Sequence, residues 1–168
     1  MAITQAMCGS YKKEITVGIH YWMIHSRGSA VDIAADSFYI AMFTNSATLN
    51  EDTTGYTASN EVTGTNYTAK GQTLASVTLG LADNSSTVPT AFLDFADTTW
   101  GSSTISSARG ALIYNFTLTA AGSGSGVNNA AYPAVAVLDF GGDKSSSSGD
   151  FTITYPANDA NNAMIRLA

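Results

Sequence analysis

The feature that most constrains this chain is the rhythm of its apolar runs. Short stretches rich in β-branched and aromatic residues recur along it, bounded by Gly, Pro, Asn, Asp, Ser or Thr. Ser37–Thr44 (SFYIAMFT) is apolar at successive positions, as expected of a central strand covered on both faces. Arg109–Leu118 sets Leu112, Tyr114, Phe116 and Leu118 at period two, and Phe151–Tyr155 alternates Phe, Thr, Ile, Thr, Tyr. Thr63–Lys70, Leu74–Leu79, Thr90–Phe95, Ala134–Phe140 and Ala163–Leu167 read as further strands. Between them, residues 25–36, Asn45–Glu61 and Ala120–Asn129 read as loops, and Asp83–Pro89 and Lys144–Asp150 as polar turns. A helix fits only at the front. Tyr11, Ile15, Ile19, Trp22 and Met23 form an apolar stripe within 3–23, with Ser10 as its cap and Gly18 as a weak point. The expectation is a mainly β chain of one domain, 1–168. Its N-terminal α-helix covers 3–23, and a β-sandwich, jelly-roll or Greek-key-like, covers 37–168.

Charge narrows the function classes. Only 12% of the 168 residues are charged against 45% hydrophobic, with a net charge of −6. Hydroxyls and amides fill the gap, and a surface made of them is less costly to dehydrate than a lysine-rich one. That suits a chain packed against neighbours. Lys12 and Lys13 are the only adjacent bases, so no basic stripe awaits nucleic acid. Cys8 is the single cysteine, which excludes an internal disulfide and a cysteine-rich zinc site. No apolar run approaches the ~18 residues of a membrane helix. The opening MAITQAMCGSYKK lacks a signal-peptide apolar core, so synthesis in a cytosol is expected. The sequons at Asn66, Asn84 and Asn115 then read as by-products of a Ser/Thr/Asn-rich composition.

One tripeptide invites a catalytic reading. Leu-Asp-Phe occurs at 93–95 and at 138–140, with Asp97 and Asp143 following. Two carboxylates can perform glycoside hydrolysis at a set separation. Calcium loops need more oxygen ligands, closer together. The structural alternative is that Asp94 and Asp139 each close a strand, cap a turn and pair with Arg109 or Arg166. The second reading is preferred, so no catalytic, metal or cofactor residue is expected and the chain is read as a non-enzyme. The histidines, His20 and His25, lie five apart without an H-E-x-x-H pattern. GGDKSS at 141–146 lacks the glycine spacing of a P-loop. Tyr56, Tyr67 and Trp100 sit among polar residues, where exposed rings would suit subunit contacts or sugar stacking.

Several segments together carry a resemblance: SYKKEITVGIH, DSFYIAMFTNSATL, TGYTASNEVTGTNYTAKGQTL, TAFLDFADTTW, ISSARGALIYN, AVAVLDFGGDKSSSSGDFTITYP and NAMIRLA. In this order they resemble a family of virion structural proteins from tailed bacteriophages, including cyanophages, over nearly the whole chain. Two stretches depart from that pattern, WMIHSRGSAVDIAAD and GSGSGVNN. The resemblance implies a capsid cement or decoration protein made in the bacterial host cytoplasm. It would sit on the outer capsid surface, bind the major capsid protein and form a homo-oligomer such as a trimer. A tail or head-tail adaptor component is the alternative within the virion, and a carbohydrate-binding host-attachment module the alternative outside assembly.

Overall fold

The computed structural model describes residues 2–23, 34–82, 89–119 and 130–168. His25, most of the loop expected at 25–36, the turn at 83–88 and the Gly/Ser stretch 120–129 lie outside the described residues. The fold is mainly β with one N-terminal α-helix. In chain order the elements are β1 (Ala6–Met7), α1 (Gly9–Thr16), β2 (Phe38–Phe43), β3 (Gly64–Thr65), β4 (Gln72–Thr73), β5 (Thr78–Ala82), β6 (Thr90–Asp94), β7 (Thr98–Asn115), β8 (Ala134–Ile153) and β9 (Ile165–Leu167). They fall into two compact units. The larger comprises Met1–Thr73 with Trp100–Phe151, and the smaller Leu74–Thr99 with Thr152–Ala168. Among the described residues, no helix is long and apolar enough to cross a membrane.

The larger unit holds a sheet in the order β1-β8-β7-β2-β4, with β3 also paired to β7. Five of the six β2 residues are buried, which accounts for its unbroken apolar run. β2 lies antiparallel to β7, with Phe38 opposite Asn115 and Phe43 opposite Gly110. The N-terminus departs from expectation. Instead of beginning a helix at Ile3, Ala6 and Met7 pair with Val137 and Ala136 of β8, and Ile3 bridges to Leu49. Those backbone groups are committed before a helix can use them. The helix starts after Cys8, with no side-chain cap, so Ser10 does not cap it. Gly18, at φ 70°, ends it. Its N–H bonds Ile15 O, and the N–H of Ile19 bonds Glu14 O, a Schellman closure that requires a left-handed residue.

The largest correction concerns length. The expected turn Lys144–Asp150 is extended and belongs to the 20-residue β8. Likewise, of the expected strand 109–118, residues 109–115 are the C-terminal part of the 18-residue β7 and 116–118 lie beyond its end. A polar strand is stabilised when its hydroxyls have partners across the ladder. Here Ser103 Oγ meets Ser146 Oγ at 2.8 Å, and Ser145 Oγ accepts the Ser107 N–H at 3.1 Å. Thr104 Oγ1 accepts the Ser148 N–H at 3.0 Å, and Asp150 accepts the Ser102 N–H at 2.9 Å. The inward and outward alternation of β7 slips at Gly101–Ser102 and again at Ser106–Ser107, where both residues face out. Ser102 and Ser107 have φ of 48° and 57°. Each slip behaves as a bulge that resets which face is buried. Period-two reading of the sequence could not follow the strand through those resets.

The smaller unit is an antiparallel sheet in the order β5-β6-β9. Leu79, Leu93 and Ile165 form one cross-strand row, and Leu81, Ala91 and Leu167 the next. Phe95 and Tyr155 pack edge to face at 5.7 Å, and the Tyr155 hydroxyl meets Thr98 Oγ1 at 3.1 Å. The expected strands 63–70 and 74–79 are not formed with those bounds: pairing covers only β3, β4 and the later-starting β5.

Candidate functional site

The two aspartates singled out from the sequence belong to different units. Asp94 ends β6, is 2% exposed, and accepts the Phe95 N–H at 2.9 Å. Asp139 lies inside β8 rather than at a strand end. It accepts Arg109 Nε at 3.1 Å and the Gly141 N–H at 2.9 Å. Arg166 turns to the carbonyl of Ala160 at 3.3 Å. Asp97 accepts the Tyr155 N–H at 3.0 Å. These carboxylates are engaged in holding backbone.

Trp100 is not an exposed sugar platform. It is 1% exposed, because β7 turns it inward. Its ring stacks with Tyr67 at 5.9 Å and meets Phe151 edge-on at 6.2 Å. Tyr56 and Tyr67 are half-buried, and both reach one carboxylate that the sequence reading did not mark, Glu61.

Glu61 is carried beside β2 by a bridge to Phe43. Its carboxylate accepts the hydroxyls of Tyr56 at 2.5 Å and Tyr67 at 2.7 Å, and the Lys70 N–H at 2.7 Å. Tyr114 donates its hydroxyl to the Lys70 carbonyl at 2.7 Å. Burial, together with the nearby Glu61 charge, holds the Tyr56, Tyr67 and Tyr114 hydroxyls well above the usual phenol range. They are hydrogen-bond donors and not bases.

Two of these bonds hold the backbone of Lys70, at its N–H and at its carbonyl. It sits in the turn closed by Gly71 N–H to Thr68 O at 2.9 Å, at φ 76°. A non-glycine residue there is strained by about 1–2 kcal/mol, so the surrounding contacts must hold it. The ammonium donates to Tyr132 OH at 3.1 Å and lies 4.6 Å from the Tyr132 ring centre and 5.6 Å from that of Phe116. Phe116 is itself stacked between Tyr39 at 4.0 Å and Tyr132 at 5.4 Å. Tyr39, Phe116 and the 68–73 turn line an open recess of about 570 Å³. It is a candidate small-ligand site.

A second polar cluster lies under the helix. Glu14, 1% exposed, accepts from His20 Nε2 at 2.8 Å. Asn115 Nδ2 faces His20 Nδ1 at 3.2 Å and Asp36 Oδ2 at 2.7 Å. Asn115 Oδ1 accepts the N–H groups of Thr117 and Leu118, which fixes the orientation of the amide. An N–H aimed at Nδ1 requires a lone pair there, so the imidazole is the neutral Nε2–H tautomer. Burial likewise holds its pKa below the usual range, outweighing Glu14. With both nitrogens engaged, His20 ties the helix to β7. Cys8, close by, is buried, and its thiol is pushed up to about 12 by that burial. Neither group is set up as a nucleophile or base.

Sequence reading missed Glu61, Lys70, Tyr39, Phe116, Glu14, Asp36 and Asn115. Only the Lys70-Gly71 turn carried a local signal. The rest are brought together from separate segments by the β2–β7 register. Among the described residues, no group of three or more His, Cys, Asp and Glu side chains could hold a metal ion. No family model, no curated protein and no solved structure matches the chain.

Proposed function

We propose that this protein is a non-enzymatic structural protein of a tailed-bacteriophage virion, a capsid cement or decoration protein. It would be made in the host cytoplasm and bind the assembled major capsid protein on the outer shell surface. One observation carries this reading. On the β5-β6-β9 sheet, Leu79, Leu81 and Leu167 are 48%, 66% and 43% exposed, and they share a face through their pairing with Leu93 and Ala91. That face continues from the buried Leu93 and Ile165. Leucines clustered in the open on one sheet face mark a surface built for contact. The weakly charged composition lowers the cost of covering it. Homo-oligomerisation with closed symmetry, such as a trimer, and a jelly-roll or Greek-key sandwich belong to the same proposal.

Cementing works by mass action. A subunit that binds the lattice and not free capsomers shifts the balance toward the lattice, and many copies add up through multivalency. Purified shells with the protein should melt at a higher temperature than shells without it. Leu81→Glu should abolish that gain while leaving the free protein folded. Identical melting with and without the protein would sink the proposal, and labelling confined to one vertex would move the protein to the tail or head-tail adaptor.

A further inference from the structure

We propose that the Lys70 recess binds an acidic saccharide, a glycan chain carrying uronate-type carboxylates. The ammonium is half-buried against two aromatic rings. Among the described residues, no carboxylate lies within ion-pair distance of it. Of its three N–H groups, one is used by Tyr132. The backbone around it is clamped at both ends, by Glu61 on the N–H and by Tyr114 on the carbonyl. A cation pre-positioned at a strained φ, with no carboxylate of the described residues in ion-pair contact, is placed to receive an anion.

The walls select which kind of anion. Tyr39 and Phe116, stacked on each other, line the recess, and Thr68, Gln72 and Thr73 add hydroxyl and amide groups. The ring edges that line it give apolar contact to the C–H groups of a pyranose, while hydroxyls and an amide exchange hydrogen bonds with its ring hydroxyls. A bare inorganic anion would leave the rings unused. The site is independent of the apolar sheet face: it lies wholly in the larger unit, and its failure would leave shell binding untouched.

The test is an NMR titration of the full chain with an oligogalacturonate, a size-matched neutral glucose oligomer, and inorganic phosphate. The oligogalacturonate should give saturable shifts centred on Tyr39, Lys70, Gln72 and Phe116. Lys70→Asn removes the ammonium and tolerates the positive φ. It should weaken uronate binding about ten-fold or more, with an unchanged melting temperature. Phe116→Leu keeps the ammonium and should weaken uronate binding while leaving phosphate binding as it was. The proposal is overturned by no saturable shifts, by shifts elsewhere, by equal affinity for the neutral oligomer or phosphate, or by full affinity in Lys70→Asn. If Lys70→Asn melts lower, Phe116→Leu decides alone, and unchanged uronate affinity in that variant overturns the proposal.

Discussion

Leu93-Asp94-Phe95 and Leu138-Asp139-Phe140 are the same tripeptide in two settings. In the first, the strand stops at Asp94, and the carboxylate is buried with its Oδ2 making no hydrogen bond. Burial, with the nearby Asp97 charge, raises its pKa against the pull of backbone hydrogen bonds from Phe95 and Met164. In the second, the strand continues for many residues past Asp139. The Gly141 N–H, and then Arg109, hold that carboxyl below the usual range. Leu93 and Leu138 are both buried, but Phe95 is buried and Phe140 only half-buried. Identical residues therefore hold opposite electrostatic positions. Local sequence does not decide whether a carboxylate is a burden or a tie; how deeply the fold buries it, and whether a cation is among its donors, does.

The contrast should be widest in packing. Phe95→Ala should cost about 3–5 kcal/mol by denaturant unfolding, and Phe140→Ala roughly 1–2 kcal/mol because less apolar area leaves water there. Equal losses would break the contrast. The residue after the tripeptide comes next. It is Ala96 in the first copy and Gly141, at φ 70°, in the second. Gly141→Ala writes the first copy's residue into the second and should cost roughly 1–2 kcal/mol through the left-handed conformation alone. A neutral outcome would mean that β8 relaxes at this position without the left-handed residue.

Smaller, and opposite in sign, are the pH responses. Asp94, with its raised pKa, favours the fold most when protonated. Its contribution is lost as pH rises from the ordinary carboxylate range through the raised value. Asp139, with its lowered pKa, contributes above the ordinary range and loses that contribution as pH falls through the lowered value. Melting from about pH 3 to 7 should show wild type losing ground to Asp94→Asn as pH rises and gaining on Asp139→Asn. Parallel trends would remove the electrostatic distinction. The smallest effect is expected from Arg109→Gln. The pair is part-exposed, so the variant should melt slightly lower at low salt and indistinguishably from wild type at high salt.

The strand at 90–95, the central β2 and the apolar ends of β7 and β8 were legible because they keep one period between turn residues. The polar middle of β8 was not. Serine has weak strand preference, and only the facing hydroxyls on β7 make KSSSSGD extended. The helix was legible at Tyr11 and at Gly18 but not at its start, where β8 and Leu49 take the backbone first. Of the candidate site, Tyr56 and Tyr67 were visible as aromatics in polar company. Lys70 was marked only as the neighbour of a turn glycine, Gly71, and Glu61 looked like any surface charge.

By itself, then, the sequence determined the class: a mainly β chain with a helix at its front, poor in charge and with no basic stripe. Those properties follow from composition and periodicity, which act residue by residue. Only the tertiary structure decided which carboxylate is buried, which tryptophan is hidden and which lysine is clamped against rings. Each of those outcomes depends on donors, rings and backbone supplied from segments tens of residues away. Bulges at single serines also reset the facing of everything beyond them, and one-dimensional patterns carry no record of that.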